Sequence, residues 1–235
     1  MKRAFDFVLA LSVLLVLSPV LVLIAAAIFA YDRHSPFYRA LRVGKGGQEF
    51  AMLKFRSMLV DADRSGVMST AANDRRITPI GHFIRRFKLD ELSQFYNVVV
   101  GDMSLVGPRP NVRSGVALYT EAERELLRVR PGITDLASIV FADEGEILRN
   151  HSDADIAYDR LIRPWKSRLG LFYIEHASWR LDIEIMALTA IGLVSRRAAL
   201  RGVSKLLDSL GAPKPLVEVS LRGAELSPSV PPGAE

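Results

Sequence analysis

The chain has 235 residues and a mass of 26.0 kDa. With 49% hydrophobic and 24% charged residues, it is not disordered, collagenous or low-complexity, and it is long enough to bury one sizeable core. Cysteine is absent, which excludes a disulfide framework, a zinc-thiolate site and a cysteine nucleophile. The net charge of +5 suits anionic partners: nucleic acid, phosphorylated substrates or an anionic membrane surface.

The first element is apolar. From Phe7 to Tyr31 there are 25 residues without a charge, bounded by Asp6 and Asp32. Roughly 20 apolar residues suffice to cross a bilayer, whereas a signal-peptide core holds roughly 7–15. Lys2, Arg3, Ala25 and Ala27 keep a signal peptide as the minor alternative. Pro19, after Ser18, predicts a bend, because proline lacks an N–H and crowds the carbonyl four residues back. Lys2 and Arg3 flank one end; Arg33, Arg39, Arg42 and Lys45 flank the other. Positive residues prefer the cytoplasmic side, so the residues leave a spanning helix and a re-entrant hairpin equally open.

The remainder reads as a mixed, mostly helical domain. A glycine turn at Gly44, Gly46 and Gly47 precedes a strand-like stretch over 49–56. Residues 61–78 are small and polar and read as a loop. Ile80, Phe83, Ile84 and Phe87, then Leu89, Leu92, Phe95, Tyr96 and Val99, recur at helical spacing and predict a helix over 79–100, ended by Gly101. Gly107-Pro108-Arg109-Pro110 predicts an irregular turn. Helices are expected over 115–129 and 153–195, the latter followed by basic Arg196, Arg197 and Arg201. Five prolines after residue 210 predict a mobile tail.

Several familiar sites fail. Gly44-Lys45-Gly46-Gly47 lacks the spacing and the Ser/Thr of a P-loop, and no Gly-x-Ser-x-Gly elbow occurs. The four histidines lack metal-ligand spacing, and only net charge speaks for nucleic acid, so none is expected as a partner. The dense region is 85–110. Adjacent Asp90 and Glu91 follow Arg85, Arg86 and Lys88. On a helix such neighbours point about 100° apart, so one carboxylate can attack while the other holds a metal or manages a proton. Cations nearby keep an aspartate ionised, as a nucleophile must be, and suit a phosphorylated substrate. A solvated acidic pair balancing nearby arginines is the plainer reading of the same residues.

Five segments in order carry a resemblance. They are the apolar run with Ser18-Pro19; Arg42-Val43-Gly44; Lys54-Phe55-Arg56-Ser57-Met58; Leu-Asp-Glu-Leu-x-Gln-x-x-Asn-Val around Asp90-Glu91 with Gly-Asp-Met-Ser-Leu-Val-Gly-Pro-Arg-Pro after it; and Arg130-Pro131-Gly132-Ile133-Thr134. Together, over about residues 1–195, they resemble the bacterial sugar transferases, monotopic polyprenol-phosphate phosphoglycosyl transferases, in their minimal form. The resemblance implies that a sugar-1-phosphate leaves a UDP-sugar and joins undecaprenyl phosphate, releasing UMP, with Asp90 as nucleophile in a ping-pong reaction. It implies Mg²⁺ held by Asp90 and Glu91, phosphate contacts from Lys54, Arg56, Arg109 and Arg42, and an orienting role for Asp102. It also implies an α+β, mostly helical fold: a re-entrant helix-break-helix over 1–32 at Ser18 and Pro19, a catalytic domain over 33–200 with interfacial amphipathic helices, and a tail over 201–235. Trp165 and Trp179 are expected at headgroup depth. The expected location is the cytosolic face of a bacterial inner membrane, with membrane lipids and a second copy of the chain as further partners. A membrane-anchored scaffold without activity and an anchored nucleic-acid binder are the competing classes. Ser93, Asp135 and Ala137-Ser138-Ile139 depart from the family pattern, which leaves the donor sugar open.

Overall fold

A computed structural model describes residues 2–62, 74–149 and 151–234. The expected loop over 61–78 falls mostly outside them. Helix α1 runs over Lys2–Asp32, followed by strands β1 (Phe37–Val43) and β2 (Glu49–Phe55), which pair antiparallel with Phe37 opposite Phe55. Then come α2 (Pro79–Arg86), a 3₁₀ turn over Leu89–Glu91, α3 (Gln94–Val100) and β3 (Ser104–Val106). Short helices α4 (Arg113–Ala117) and α5 (Glu121–Arg124) lead to β4 (Gly132–Thr134), α6 (Leu136–Val140), α7 (Glu144–Leu148) and α8 (Ala154–Ala157). Longer helices α9 (Arg163–Glu175), α10 (Trp179–Val194), α11 (Arg196–Ser209) and α12 (Lys214–Leu221) complete the fold. The α+β, mostly helical expectation holds.

The chain does not break at Pro19. Helix α1 continues through it for 31 residues, about 46 Å at 1.5 Å per residue. Pro19 leaves the carbonyl of Leu15 without its N–H partner, and the Ser18 hydroxyl donates to that same carbonyl at 2.8 Å. A side chain thus supplies the bond that proline removes, one of the ways an apolar helix tolerates it. Helix α1 is long and apolar enough to cross a membrane, yet both of its ends grip the folded domain. Lys2 pairs with Asp182, Arg3 donates to the carbonyl of Val99 at 2.8 Å, and buried Asp6 accepts from Ser104 at 2.8 Å. At the far end Arg56 donates to Asp32 at 2.7 Å, and Ile28 packs between Phe55 and Ile84. Residues from Leu11 to Val20 between these anchors are mostly exposed, Val16 at 76%.

The predicted helix over 79–100 is two helices and a 3₁₀ turn. Thr78 caps α2 by accepting from Gly81 N at 2.9 Å, and Pro79 occupies its first turn. The chain then turns at Lys88, which holds a left-handed conformation (φ 52°). Apolar spacing alone does not register this turn, because Phe87 and Leu89 keep the helical rhythm across it. Gly101 ends α3 as expected (φ 103°). The expected helix over 115–129 is likewise interrupted, restarting where Thr120 and Glu123 form a reciprocal capping box.

Strands β3 and β4 run parallel, and two glycines permit their approach. A Cβ on Gly132 would lie 2.1 Å from Gly107 N, and one on Gly107 would lie 2.5 Å from the Arg130 carbonyl. These contacts explain the glycines of both proline-glycine segments and place Pro108-Arg109-Pro110 beside the 132–135 segment. The main core gathers α3, β3, α6, α9, α10 and α11 around Val98, Met103, Leu136, Leu169 and Ile185.

The tail over 201–235 is not a loose extension. Ala199, Leu200, Val203 and Leu207 bury one face of α11, and Leu216 of α12 joins the same core. The proline-rich composition misleads because Pro213 and Pro215 lie at the start of α12, where a missing N–H is harmless. Beyond α12 the chain still makes contact: Ser229 N donates to the Arg160 carbonyl at 3.0 Å. The boundary expected near residue 200 therefore falls inside α11.

Candidate active site

A cleft of about 970 Å³ opens between the 3₁₀ turn, β2, the Pro108–Val112 segment and the α6–α9 region. Its lining joins Arg42, Lys54, Arg85, Lys88, Asp90, Glu91 and Arg109. The turn at Lys88 and the 3₁₀ geometry that follows direct Asp90 and Glu91 into it. Non-glycine residues in left-handed backbone collect at functional sites. Ser93 and Asn97 fix this segment to β2. Ser93 Oγ donates to the Leu53 carbonyl at 3.1 Å; the Asn97 amide accepts from Leu53 N and donates to the Ala51 carbonyl, both at 2.8 Å. Lys54, next to Leu53, is thereby held beside Asp90. Ser93, a departure from the family pattern, is part of this scaffold.

Glu91 and Arg109 form a two-pronged ion pair, with Nη1 donating to Oε2 at 3.2 Å and Nη2 to Oε1. Such bidentate pairs fix orientation as well as charge. Arg109 also donates from Nη1 to the Ile133 carbonyl at 3.2 Å, and its backbone N donates to Asp135 at 3.3 Å. Asp135, buried, caps α6 by accepting from Ser138 N at 2.6 Å. Its role is thus to join Arg109 to α6, a contact that the sequence does not signal.

The electrostatics separate the two carboxylates. Burial raises the Asp90 carboxyl above the usual aspartate value of 3.8, and the Glu91 charge adds to the rise. Lys54, Arg85 and Arg109 oppose it without cancelling it. Burial also pushes Glu91 up, but Arg109, Lys54 and Lys88 together hold it down at about 2. Lys54 is lowered by burial and by the Arg109 charge, against the pull of Glu91 and Asp90. One carboxylate is thus committed to an ion pair, and its neighbour is more basic and differently placed.

Two expected residues lie elsewhere. Arg56 does not line the cleft. It lies just past the end of β2, where it pairs with Asp32 at the end of α1 and donates to the Ser35 carbonyl at 2.8 Å. Asp102 sits in the turn after α3 and accepts from Asn97 at 3.2 Å, also outside the lining. Trp165 packs half-buried against the core with Arg168 over its ring at 5.2 Å, whereas Trp179 is 47% exposed and edge-on to Phe5 of α1.

The family described as bacterial sugar transferase matches residues 1–196, and the chain belongs to it. It is 40% identical over 195 residues to an undecaprenyl-phosphate glucose phosphotransferase of Komagataeibacter xylinus, covering 80% of this chain and 35% of that protein. It is 37% identical over 210 residues to a UDP-glucose:undecaprenyl-phosphate glucose-1-phosphate transferase of Escherichia coli, covering 84% of this chain and 41% of that protein. The chain therefore spans less than half the length of these two. It is also 37% identical over 207 residues to the exopolysaccharide production protein PSS of Rhizobium leguminosarum, covering 83% and 96%.

Proposed function

We propose that this chain transfers a sugar-1-phosphate from a UDP-sugar to undecaprenyl phosphate through a covalent intermediate on Asp90, as the first membrane step of glycoconjugate assembly. The observation that carries the reading is Asp90 itself, only 9% exposed yet lining a cleft beside Lys54 and the Glu91–Arg109 pair. An Asp90 oxygen attacks the phosphorus that bears the sugar. The bond from that phosphorus to the bridging oxygen breaks, and UMP leaves with the electron pair. A phosphate oxygen of the acceptor then attacks the same phosphorus, and the Asp90 carboxylate departs with its electrons. Two anions are joined in two displacements, each helped by cations already in place. Lys54, Arg42 and Arg109 are the phosphate-binding candidates in the lining.

No group of three or more His, Cys, Asp or Glu is poised to hold an ion among the described residues. The residues present still fit Mg²⁺, which is commonly held by one or two carboxylates plus substrate phosphates and water. Of the two carboxylates expected to hold it, Asp90 faces the cleft and would do so with the substrate phosphates, whereas Glu91 has both oxygens on Arg109; the ion would neutralise charge on the diphosphate.

UMP release from UDP-glucose and UDP-galactose, with undecaprenyl phosphate, Mg²⁺ and the chain in lipid nanodiscs, tests the reaction. Sustained release that depends on both the acceptor and the metal is expected, with no more than about one equivalent of UMP per chain when the acceptor is left out. A chain that binds donor and releases no UMP supports the scaffold reading instead. Because Asp90 must be ionised to attack, kcat/KM is expected to fall on acidification through a pKa above the usual 3.8. Lys54→Met removes a charge that holds Asp90 down, so the acid limb should move to higher pH. A limb that stays put in that variant removes Lys54 from the electrostatics of Asp90.

Both ends of α1 contact the same folded domain, so we read α1 as re-entrant, curving at Pro19 without loss of helix, with both ends on the cytosolic face of the inner membrane. Exposed Trp179 and the apolar end of α10, where Leu193 is 70% and Val194 92% exposed, suit the interfacial depth beside it. The chain has no cysteine, so single Ala4→Cys and His34→Cys variants report topology cleanly. Both should react with an impermeant reagent from the cytosolic side alone; labelling from opposite sides means a spanning helix.

A further inference from the structure

The family match ends at residue 196, yet the chain beyond it packs behind one wall of the cleft. Arg222 follows α12 in a left-handed conformation (φ 51°), immediately before Gly223. Glycine is the usual residue at such a helix end, and a side chain there is strained. The Arg222 side chain is 11% exposed. Its Cζ lies 5.6 Å from the centre of the Phe141 ring, and its Nη2 lies 3.6 Å from Asp143 Oδ2. Arg196 approaches the other Asp143 oxygen at 2.6 Å and donates to the Val140 carbonyl at 3.3 Å.

Asp143 precedes α7 at the capping position but makes no capping bond. Its carboxylate faces the two arginines instead. Phe141, Asp143, Glu144 and Glu146 are part of the cleft lining. Arg222 Nε and Nη1 have no hydrogen-bond partner among the described residues, an arrangement that a merely structural arginine does not favour. Two independent features, the strained backbone and the buried guanidinium, meet at one wall of the cleft.

We propose that Arg222 is a positioning residue for the donor: with Arg196 it sets the 141–146 wall against which the hydroxyl-bearing part of a nucleotide sugar rests. This rests on the proposed reaction, in which Asp90 and its cations take the phosphates and leave the carboxylate-bearing wall for hydroxyls. Asp143 pairs with the two arginines, Glu144 with Lys166 and Glu146 with Arg149, and the lone pairs these partners leave open accept hydrogen bonds from the sugar hydroxyls. The segment outside the family match thus tunes discrimination among donors and leaves the chemistry at Asp90 untouched.

Arg222→Gly relieves the left-handed backbone, so the fold should tolerate it, and Arg222→Lys keeps a cation near Asp143. Hydrogen exchange on the full chain is the first readout. Amides over 141–148 should exchange about tenfold faster in Arg222→Gly and return toward wild type in Arg222→Lys. Unchanged exchange overturns the proposal, whatever the donor. The second readout is affinity for UDP-glucose, UDP-galactose and UMP, measured in the Asp90→Asn background. Arg222→Gly should weaken the UDP-sugars about tenfold and alter the ratio between them. An undiminished UMP affinity is expected and assigns the wall to the sugar; an equal loss for UMP places the wall at the ribose that all donors share and overturns the role in donor discrimination. Unchanged UDP-sugar affinity despite faster exchange overturns the donor role. A wild type that binds UDP-sugar but releases no UMP overturns the proposed reaction instead and leaves Arg222 in place.

Discussion

Asp90→Asn is expected to abolish turnover while making the protein more stable at neutral pH. The loss follows from the proposed attack: an amide oxygen does not form the phosphorus ester, and removing a nucleophile typically lowers kcat by at least about 10³-fold. The gain follows from the raised pKa of Asp90. Below the usual value of 3.8 the group is neutral in both folded and unfolded chains. As pH rises from there, the unfolded chain ionises freely while the native chain resists. Stability is therefore lost until pH passes the folded-state pKa, and the full penalty persists at pH 7. Asparagine carries no such penalty. Thermal unfolding at pH 7 should show a higher Tm for Asp90→Asn, with the difference shrinking toward acid pH. A lower Tm at pH 7, or turnover within tenfold of wild type, would contradict the assignment of Asp90 as a buried nucleophile held against its own solvation. Instability retained at a reacting group is a common trade between activity and stability.

The residues that carry the site are legible one by one, but their arrangement is not. Asp90, Glu91, Lys54, Arg42 and Arg109 come from different segments, and all line the same cleft. What the sequence hides is which neighbour each one takes. Lys54 and Arg56 flank Phe55 two positions apart, so both are plausible phosphate ligands. Only the placement of β2 against α1 and α3 shows that Arg56 instead ties down Asp32. Asp102 and Asn97 are five residues apart in sequence and meet only because Gly101 turns the chain back. Ser93 and Asp135 read as deviations, yet each makes a hydrogen bond that locates a cleft residue.

The fold is legible in the same uneven way. Local chemistry marks the ends of elements well: Gly101 ends α3 and Gly107-Pro108-Arg109-Pro110 forms an irregular turn, both where expected. Periodicity does less well where it persists across a turn, as at Lys88, or where composition suggests disorder, as after residue 210. In α1 the carbonyl that Pro19 leaves open is met by the Ser18 hydroxyl, a bond to Leu15 that is invisible to any count of apolar residues.

Arg109→Ala is expected to destabilise the protein at neutral pH and to make its remaining stability less dependent on pH in the acid range. Arg109 joins the 3₁₀ turn to the 133–135 segment through Glu91 and the Ile133 carbonyl. Removing it leaves a largely buried carboxylate without its main partner. Breaking a buried pair costs about 3–5 kcal/mol. Here the side chains of Arg109 and Glu91 are 27% and 23% exposed, which favours the low end, about 3 kcal/mol and a Tm drop of about 6–12 °C for a chain of this size. The pH dependence follows from Glu91. Its folded pKa of about 2 lies below the usual 4.5, so its contribution is present above about pH 4.5 and fades as pH falls toward 2. Without Arg109 the folded pKa rises, since burial then faces only Lys54 and Lys88, and this acid-labile part of the stability should disappear. Arg109→Ala with Glu91→Gln tests the coupling. The double variant should recover a substantial part of the lost stability, because no charge is then left unpaired. If it is as unstable as the sum of the two single variants, the two residues act independently and the pair is not what holds the turn in the cleft.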